Sequence, residues 1–289
     1  MRRWRDAAAW SIRLVSGRPE LWLPGALAWL ASVGWVPFIV AVAQPPSVAE
    51  LTFLGARIVT SGAWPWNAVL IGSVLIVTVL LAFLLTAIAN AVLIALVGGR
   101  PPATSDAARV LAVSLVTALP AALATLVILL AAVVIAPREF NAPDPAGGPV
   151  LRTVLRLTPY LVLLGITSAA GAALAAVAGR LAVRRRVRLA NALRSASAIA
   201  LGAAPAIHAM AAFAMQLLFL AFATMLLAVL WAPIGARLES AGEFEVAVGL
   251  LLVGFVAIWL CLVLAGGALH AWSAATWSRL VATDAPGRT

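Results

Sequence analysis

The sequence contains no lysine, a single cysteine and few charged residues. All 20 of its basic residues are arginine, and they outnumber the 10 acidic residues two to one. One cysteine, Cys261, excludes an internal disulfide and a cysteine-based metal site. Charged residues make up 10% of the chain, whereas soluble domains carry roughly a quarter. The chain is therefore not an ordinary soluble domain.

Sequence signatures of catalysis are also missing. There is no HExxH motif, no Walker A loop, no Gly-x-Ser nucleophile accompanied by a histidine, and no pair of carboxylates inside an apolar run. The basic charge is scattered among the ends of apolar runs, which argues against nucleic-acid binding. We therefore expect a non-enzymatic protein with no catalytic residue, no metal site and no cofactor.

Long apolar runs dominate what is present. Hydrophobic residues make up 64% of the chain, and the mean hydropathy is +1.08. Runs of about 20 apolar residues predict membrane-spanning helices. The sequence therefore predicts one all-α integral membrane domain over 1–289, a polytopic bundle of six transmembrane helices. The runs lie at about 21–43, 66–97, 112–136, 150–179, 198–231 and 244–270.

The segments between the runs predict surface structure. Residues 1–20 combine arginine with Trp4 and Trp10, which is typical of an interfacial amphipathic helix. A second such helix is expected at about 47–59. Four prolines and two glycines predict irregular structure over 137–149, and residues 282–289 form a polar tail.

The distribution of arginine predicts the orientation. With six crossings, one side holds the N-terminus, the connections 98–110 and 180–195, and the C-terminus. That side carries 15 arginines and 4 acidic residues, against 5 arginines and 6 acidic residues on the other. The positive-inside rule places both termini in the cytoplasm. An arginine-only, alanine-rich composition is typical of GC-rich bacterial genomes, so we expect the bacterial cytoplasmic (inner) membrane.

A weak internal repeat suggests three hairpins. Asp106–Pro120 resembles Asn191–Pro205: a helix-capping residue is followed by Arg109 or Arg194 and then by proline. We interpret each copy as a short basic surface helix, a bend and a pair of spanning helices. The hairpin units would cover about 1–97, 98–180 and 181–281.

An arginine cluster is the most prominent polar feature. It would either bind anionic lipid headgroups of the bilayer or serve only as a topology anchor. Connections 98–110 and 180–195 are also candidate docking sites for a protein partner. The cluster consists of Arg180, Arg184, Arg185, Arg186 and Arg188.

Polar and small residues inside the runs have two interpretations each. Asn90, His208 and Gln216 would line a polar cavity, or they would form hydrogen bonds between helices. Gly171, Ala175 and Gly179 lie four residues apart, and this spacing predicts close packing against another helix of the same chain or, as the alternative, against a second copy of the chain.

Three segments carry a resemblance to a known group of proteins: SIRLVSGRPELWLPG at 11–25, GGRPPATSDAARV at 98–110 and HAWSAATWSRL at 270–280. The layout resembles that of bacterial six-helix membrane proteins of unknown function. It is similar to the membrane domain that precedes some glycerophosphodiesterases. The resemblance implies no catalytic residues here, because in that family the chemistry sits in a separate soluble domain.

These observations favour a scaffold or accessory protein of a membrane process. One alternative is a permease subunit of an ATPase-driven exporter of lipids or small molecules. Another is a lipid-modifying membrane enzyme that uses His208 or His270.

Overall fold

The computed structural model describes residues 1–43, 53, 57, 60–140, 148–240 and 246–283, and in these ranges the chain forms helices and no strand. Short helices at the N-terminus are followed by much longer ones. They are α1 (Arg2–Ser16), α2 (Trp22–Trp29), α3 (Val36–Val42), α4 (Trp66–Val97), α5 (Thr104–Phe140), α6 (Pro149–Arg184), α7 (Leu189–Ala200), α8 (Ala203–Ser240) and α9 (Val246–Thr283). The predicted surface helix at 47–59 and the end of the polar tail lie almost wholly outside the described residues.

Five helices, α4, α5, α6, α8 and α9, are long and apolar enough to cross a membrane. The segment Pro19–Gly34 and α3 pass the same test only together, with a bend of 47° between them, and would make a sixth span. The expectation of an all-helical fold is therefore confirmed for the described residues, and five helices, or six with the bent pair, have the length and hydropathy of membrane spans.

The bend in the first span has a local cause. The five residues Leu30–Gly34 form a π-helical turn between α2 and α3. Pro37 follows in the first turn of α3 and has no N–H to continue the helical ladder. The bend turns α3 towards α8, against which it packs.

The second apolar run is a single unbroken helix. At 1.5 Å per residue, the 32 residues of α4 extend about 48 Å, which is longer than the hydrocarbon core of about 30 Å. The helix must therefore tilt or project beyond the core. Helices α5, α6, α8 and α9 are longer still, with 36 to 38 residues each.

Helix α9 lies at the centre of the bundle and contacts α1, α2, α4, α6 and α8. Its closest approach is to α2, where both helices carry glycine. A Cβ atom on Gly267 would lie 2.4 Å from the main-chain nitrogen of Ala26, and one on Gly25 would lie 2.2 Å from the carbonyl oxygen of Gly267. Only glycine permits main chains to meet at this distance.

Packing differs between the two ends of the bundle. Buried residues of α1, α4, α6, α7 and α9 gather around the C-terminal ends of α6 and α9, together with most arginines predicted to share one side. We call this the basic end. At the opposite end, which we call the loose end, α8 and α9 share a core around Leu227 and Phe255, but no residue of α4 between Trp66 and Leu85 is buried.

A charged cluster at the opposite end holds α5 against α6. Glu139, 3% exposed, pairs with Arg152 at 3.1 Å and with Arg156 at 2.7 Å. Helix α5 runs through Pro137 to Phe140, so the prediction of irregular structure was wrong for 137–140. Residues 141–147 of that segment lie outside the described ranges.

The two copies of the repeat differ in local structure. Residues 191–205 follow the prediction, because α7 ends at Ala200 and α8 begins at Ala203. Residues 106–120 lie within the continuous helix α5, with Pro120 inside it, so this copy does not form a separate helix as residues 191–200 do. Neither Asp106 nor Asn191 is the N-cap residue of its helix.

Gly267→Ala should lower the free energy of unfolding by about 1–3 kcal/mol, because the added methyl group overlaps the main chain of Ala26. Gly254→Ala, on the same helix with nothing within 4 Å, should be neutral or raise stability by up to about 1 kcal/mol through helix propensity. Unfolding by SDS titration in mixed micelles measures both. Equal effects of the two substitutions would contradict the close α2–α9 contact.

Candidate functional site

Polar groups concentrate along the C-terminal part of α9, from His270 to Thr283. Side chains and main-chain carbonyls of this segment bond to α1, α4, α6 and α8. We call it the α9 polar seam, and it is the densest group of interacting polar residues in the described chain.

His208 of α8 is fully buried between α1 and α9. Trp4 Nε1 donates a hydrogen bond to His208 Nδ1 at 3.4 Å. Because Nδ1 accepts, the proton lies on Nε2, which is 3.2 Å from the carbonyl oxygen of Ser273. The rings of Trp272 and Trp277 contact the imidazole edge-on, at 5.5 and 5.0 Å between centroids. His208 thereby joins three helices.

The other members of the predicted cavity lie in different surroundings. Asn90 of α4 is half-buried, and its Oδ1 lies 3.0 Å from His270 Nε2. Gln216 is half-buried on α8. Asn90 and His208 thus each take part in a bond between helices, with a different partner on α9.

Arg180 differs from the rest of the predicted arginine cluster, because it is only 5% exposed. Its guanidinium donates to Ser278 Oγ at 3.0 Å, to the carbonyl oxygen of Ala274 at 2.7 Å and to that of Ala176 at 2.5 Å. A lipid headgroup cannot reach a side chain buried in this way. The headgroup hypothesis is therefore kept for the other four arginines only.

Those four arginines surround the turn between α6 and α7. Arg184, Arg185, Arg186 and Arg188 are all exposed, and Arg184 also donates to the carbonyl oxygen of Ser278 at 3.1 Å. Arg186 has a φ of +50°, a left-handed conformation that is uncommon outside glycine. The turn thus presents a compact basic surface at the basic end.

The connection before α5 also reaches the basic end. Asp106, 1% exposed, accepts a hydrogen bond from Arg100 at 2.9 Å, so it forms an ion pair instead of capping the helix. Arg109 donates to the carbonyl oxygen of Ala182 in the last turn of α6, at 3.4 Å. Arg194, its counterpart in the repeat, is exposed on α7.

The small-residue stripe of α6 faces α5. A Cβ atom on Gly171 would lie 2.5 Å from the carbonyl oxygen of Thr117, and one on Gly179 would lie 3.9 Å from Val110 Cγ2. Ala175 is half-buried and packs against the apolar cluster that includes Val113 of α5 and Val177 of α6. The contacts of these residues are thus within the chain.

Sequence reasoning missed the hydroxyl groups of the α9 polar seam. Ser273 and Ser278 lie with His270 in the segment HAWSAATWSRL. Because this segment also contains two tryptophans and Arg279, it resembles a helix end at the membrane surface. The small residues between the tryptophans were the available signal, because a segment rich in alanine and serine lets other helices approach closely.

Comparisons of the chain with protein-family models, with curated proteins and with solved structures give no match.

Arg180→Lys should lower the free energy of unfolding by about 2–4 kcal/mol, since one ammonium group cannot replace a planar guanidinium that donates to three acceptors. Arg186→Lys, at an exposed position, should change it by less than about 0.5 kcal/mol. The same SDS titration measures both. A tolerated Arg180→Lys would show that the buried bonds are unimportant.

Proposed function

We propose that this protein is a non-enzymatic multipass protein of the bacterial cytoplasmic membrane that acts as a scaffold or accessory subunit. One observation carries the proposal: the side chains best suited to chemistry, His208, His270 and Arg180, are each bonded to another helix of the same chain. Groups used in this way hold the helices together, which is the role of a structural core.

We place the basic end on the cytoplasmic side, with both termini. The bonds from Arg3 to Thr283 and from Arg184 to Ser278 bring the N-terminus, the C-terminal end of α9 and the α6–α7 turn to one end of the bundle. The excess of arginine at that end supports the orientation through the positive-inside rule.

The exposed arginines of the α6–α7 turn are proposed to bind anionic lipid headgroups. Each arginine near an anionic membrane surface contributes about 1 kcal/mol, so four of them provide substantial affinity. The turn and the connection 98–110 lie at the same end, which supports a shared docking surface for a protein partner. The resemblance to six-helix membrane proteins of unknown function supports a role without chemistry of its own.

A permease subunit is the second candidate, and the loose end of the bundle favours it. There α3 packs with α8, α5 packs with α6, and α4 between Trp66 and Leu85 has no buried residue. Helix groups that are joined mainly at one end can move relative to one another, as lateral opening to a lipid would require.

Orientation is tested with single cysteines in a Cys261→Ser background. Gly148→Cys at the loose end should react with a membrane-impermeant maleimide in intact cells. Ser197→Cys on α7 should react only after permeabilisation; both positions are exposed. The opposite labelling pattern would overturn the proposed orientation.

The proposed role is tested by complementation of a deletion strain. His208→Gln and His270→Gln should restore function wherever the protein accumulates normally, because neither imidazole carries out a reaction. Replacing Arg185, Arg186 and Arg188 together by glutamate should abolish function at normal abundance. Loss of function in a stable histidine variant would favour a lipid-modifying enzyme, and an ATPase subunit that co-purifies in stoichiometric amount would favour the permease.

A further inference from the structure

Two tryptophan side chains inside the bundle have indole N–H groups without an acceptor anywhere in the described chain. They are Nε1 of Trp29, a residue only 1% exposed, and Nε1 of Trp259, an atom that is itself buried. Leaving a buried donor unpaired costs about 1–3 kcal/mol, so native proteins rarely do so.

Other indoles of this protein do find acceptors. Trp22 donates to the carbonyl oxygen of Val15 at 3.0 Å, and Trp272 donates to that of Ala8 at 3.3 Å. The contrast indicates that Trp29 and Trp259 take their acceptors from outside the part of the chain that the structure describes.

The two unpaired donors lie at the contact between α2 and α9, which we call the α2–α9 seam and which is separate from the α9 polar seam. Trp259, Val263 and Gly266 follow one another at helical spacing on the face of α9 that meets α2. The ring of Trp29 lies directly over Gly266, where a Cβ atom would be 2.5 Å from the indole. Both tryptophans pack into the same cluster around Val263.

The seam lies at the bend of the first span. Trp29 is the last residue of α2, and the π-helical turn Leu30–Gly34 begins immediately after it. Beyond the bend, the ring of Phe38 lies 5.0 Å from that of Trp259, and Phe219 of α8 lies 5.6 Å from Trp29. π-helical turns occur frequently at functional sites.

We infer that this seam binds an apolar molecule whose carbonyl oxygens accept hydrogen bonds from Trp29 and Trp259. The surrounding side chains are aliphatic and aromatic, and such surroundings exclude a charged ligand because its desolvation would be too costly. An apolar molecule with one or two carbonyl oxygens would accept hydrogen bonds from the two indole N–H groups and pack against the surrounding apolar side chains. Membranes contain two kinds of molecule that combine an apolar body with carbonyl oxygens, namely isoprenoid quinones and fatty acyl esters.

The inference does not rest on the proposed scaffold role. A scaffold, a permease or an enzyme could each hold such a molecule, and the test below needs neither a cellular function nor a transport assay.

The experiment observes the indole N–H groups directly. Protein labelled with 15N-tryptophan is placed in nanodiscs, and the resonances of Trp29 and Trp259 are assigned with Trp29→Phe and Trp259→Phe. Decylubiquinone and 1,2-dioctanoylglycerol are titrated separately. One probe should shift both resonances downfield in a saturable manner, while the resonance of Trp22, which already has an acceptor, stays in place.

Each substitution should weaken binding of the active probe about tenfold, as expected for one lost hydrogen bond, and Trp22→Phe should leave it unchanged. A response to decylubiquinone alone identifies a quinone-like ligand, and a response to the glycerolipid alone identifies an acyl ester. If Trp29→Phe fails to fold, the titrations of Trp259→Phe and of the wild type still show whether the probe binds at the α2–α9 contact.

The inference fails if neither probe produces a saturable shift. It also fails if Trp259→Phe binds the probe as tightly as the wild type does. Rapid exchange of both N–H groups with D2O, without a response to either probe, would identify an internal water only.

Discussion

Guanidinium groups that donate to main-chain carbonyl oxygens of a neighbouring helix hold the basic end of this bundle together. Some acceptors lie in the last turns of α6 and α9, where carbonyl groups carry the negative end of the helix dipole and lack helical donors. The others lie one to two turns earlier in α9. Lysine could not make the branched contacts of this kind, and the chain contains none. The bonds run from Arg3 to Leu280, from Arg109 to Ala182, from Arg180 to Ala274 and from Arg184 to Ser278.

This arrangement explains why the two ends of the bundle differ. Many of the hydrogen bonds between helices, and the close glycine contacts with α2, lie on α9 between Gly266 and Thr283. At the loose end the described polar contact between helices is the cluster around Glu139, which joins only α5 to α6. The first twenty residues of α4 therefore depend on the surrounding bilayer for their environment. Polar contacts between helices are therefore more numerous at the basic end.

The sequence predicted the spans and the gathering of arginines at one end, because length, hydropathy and charge act locally. It could not predict which arginine turns inward. Arg180 and Arg186 are six residues apart, yet Arg180 is buried and donates to Ser278, which lies 98 residues away, whereas Arg186 is exposed. The sequence also could not predict how each proline of the repeat is accommodated: Pro120 lies within the continuous helix α5, whereas the chain breaks between α7 and α8 just before Pro205.

Richness in polar residues is a poor guide to binding sites in a membrane bundle. The α9 polar seam attracts attention because it holds histidine, serine and arginine, but its hydrogen-bonding groups are used between helices. Buried hydrogen-bonding groups that lack a partner are a better guide to such sites. Of the four buried side-chain atoms without a partner in the described chain, two belong to the ion pair of Arg100 and Asp106 beside an exposed connection. The other two are the indole nitrogens of Trp29 and Trp259, deep among apolar side chains where water offers little compensation. In such surroundings an unpaired donor is costly, so the two indoles beside the bent first span indicate a bound molecule more strongly than the bonded groups of the α9 polar seam do.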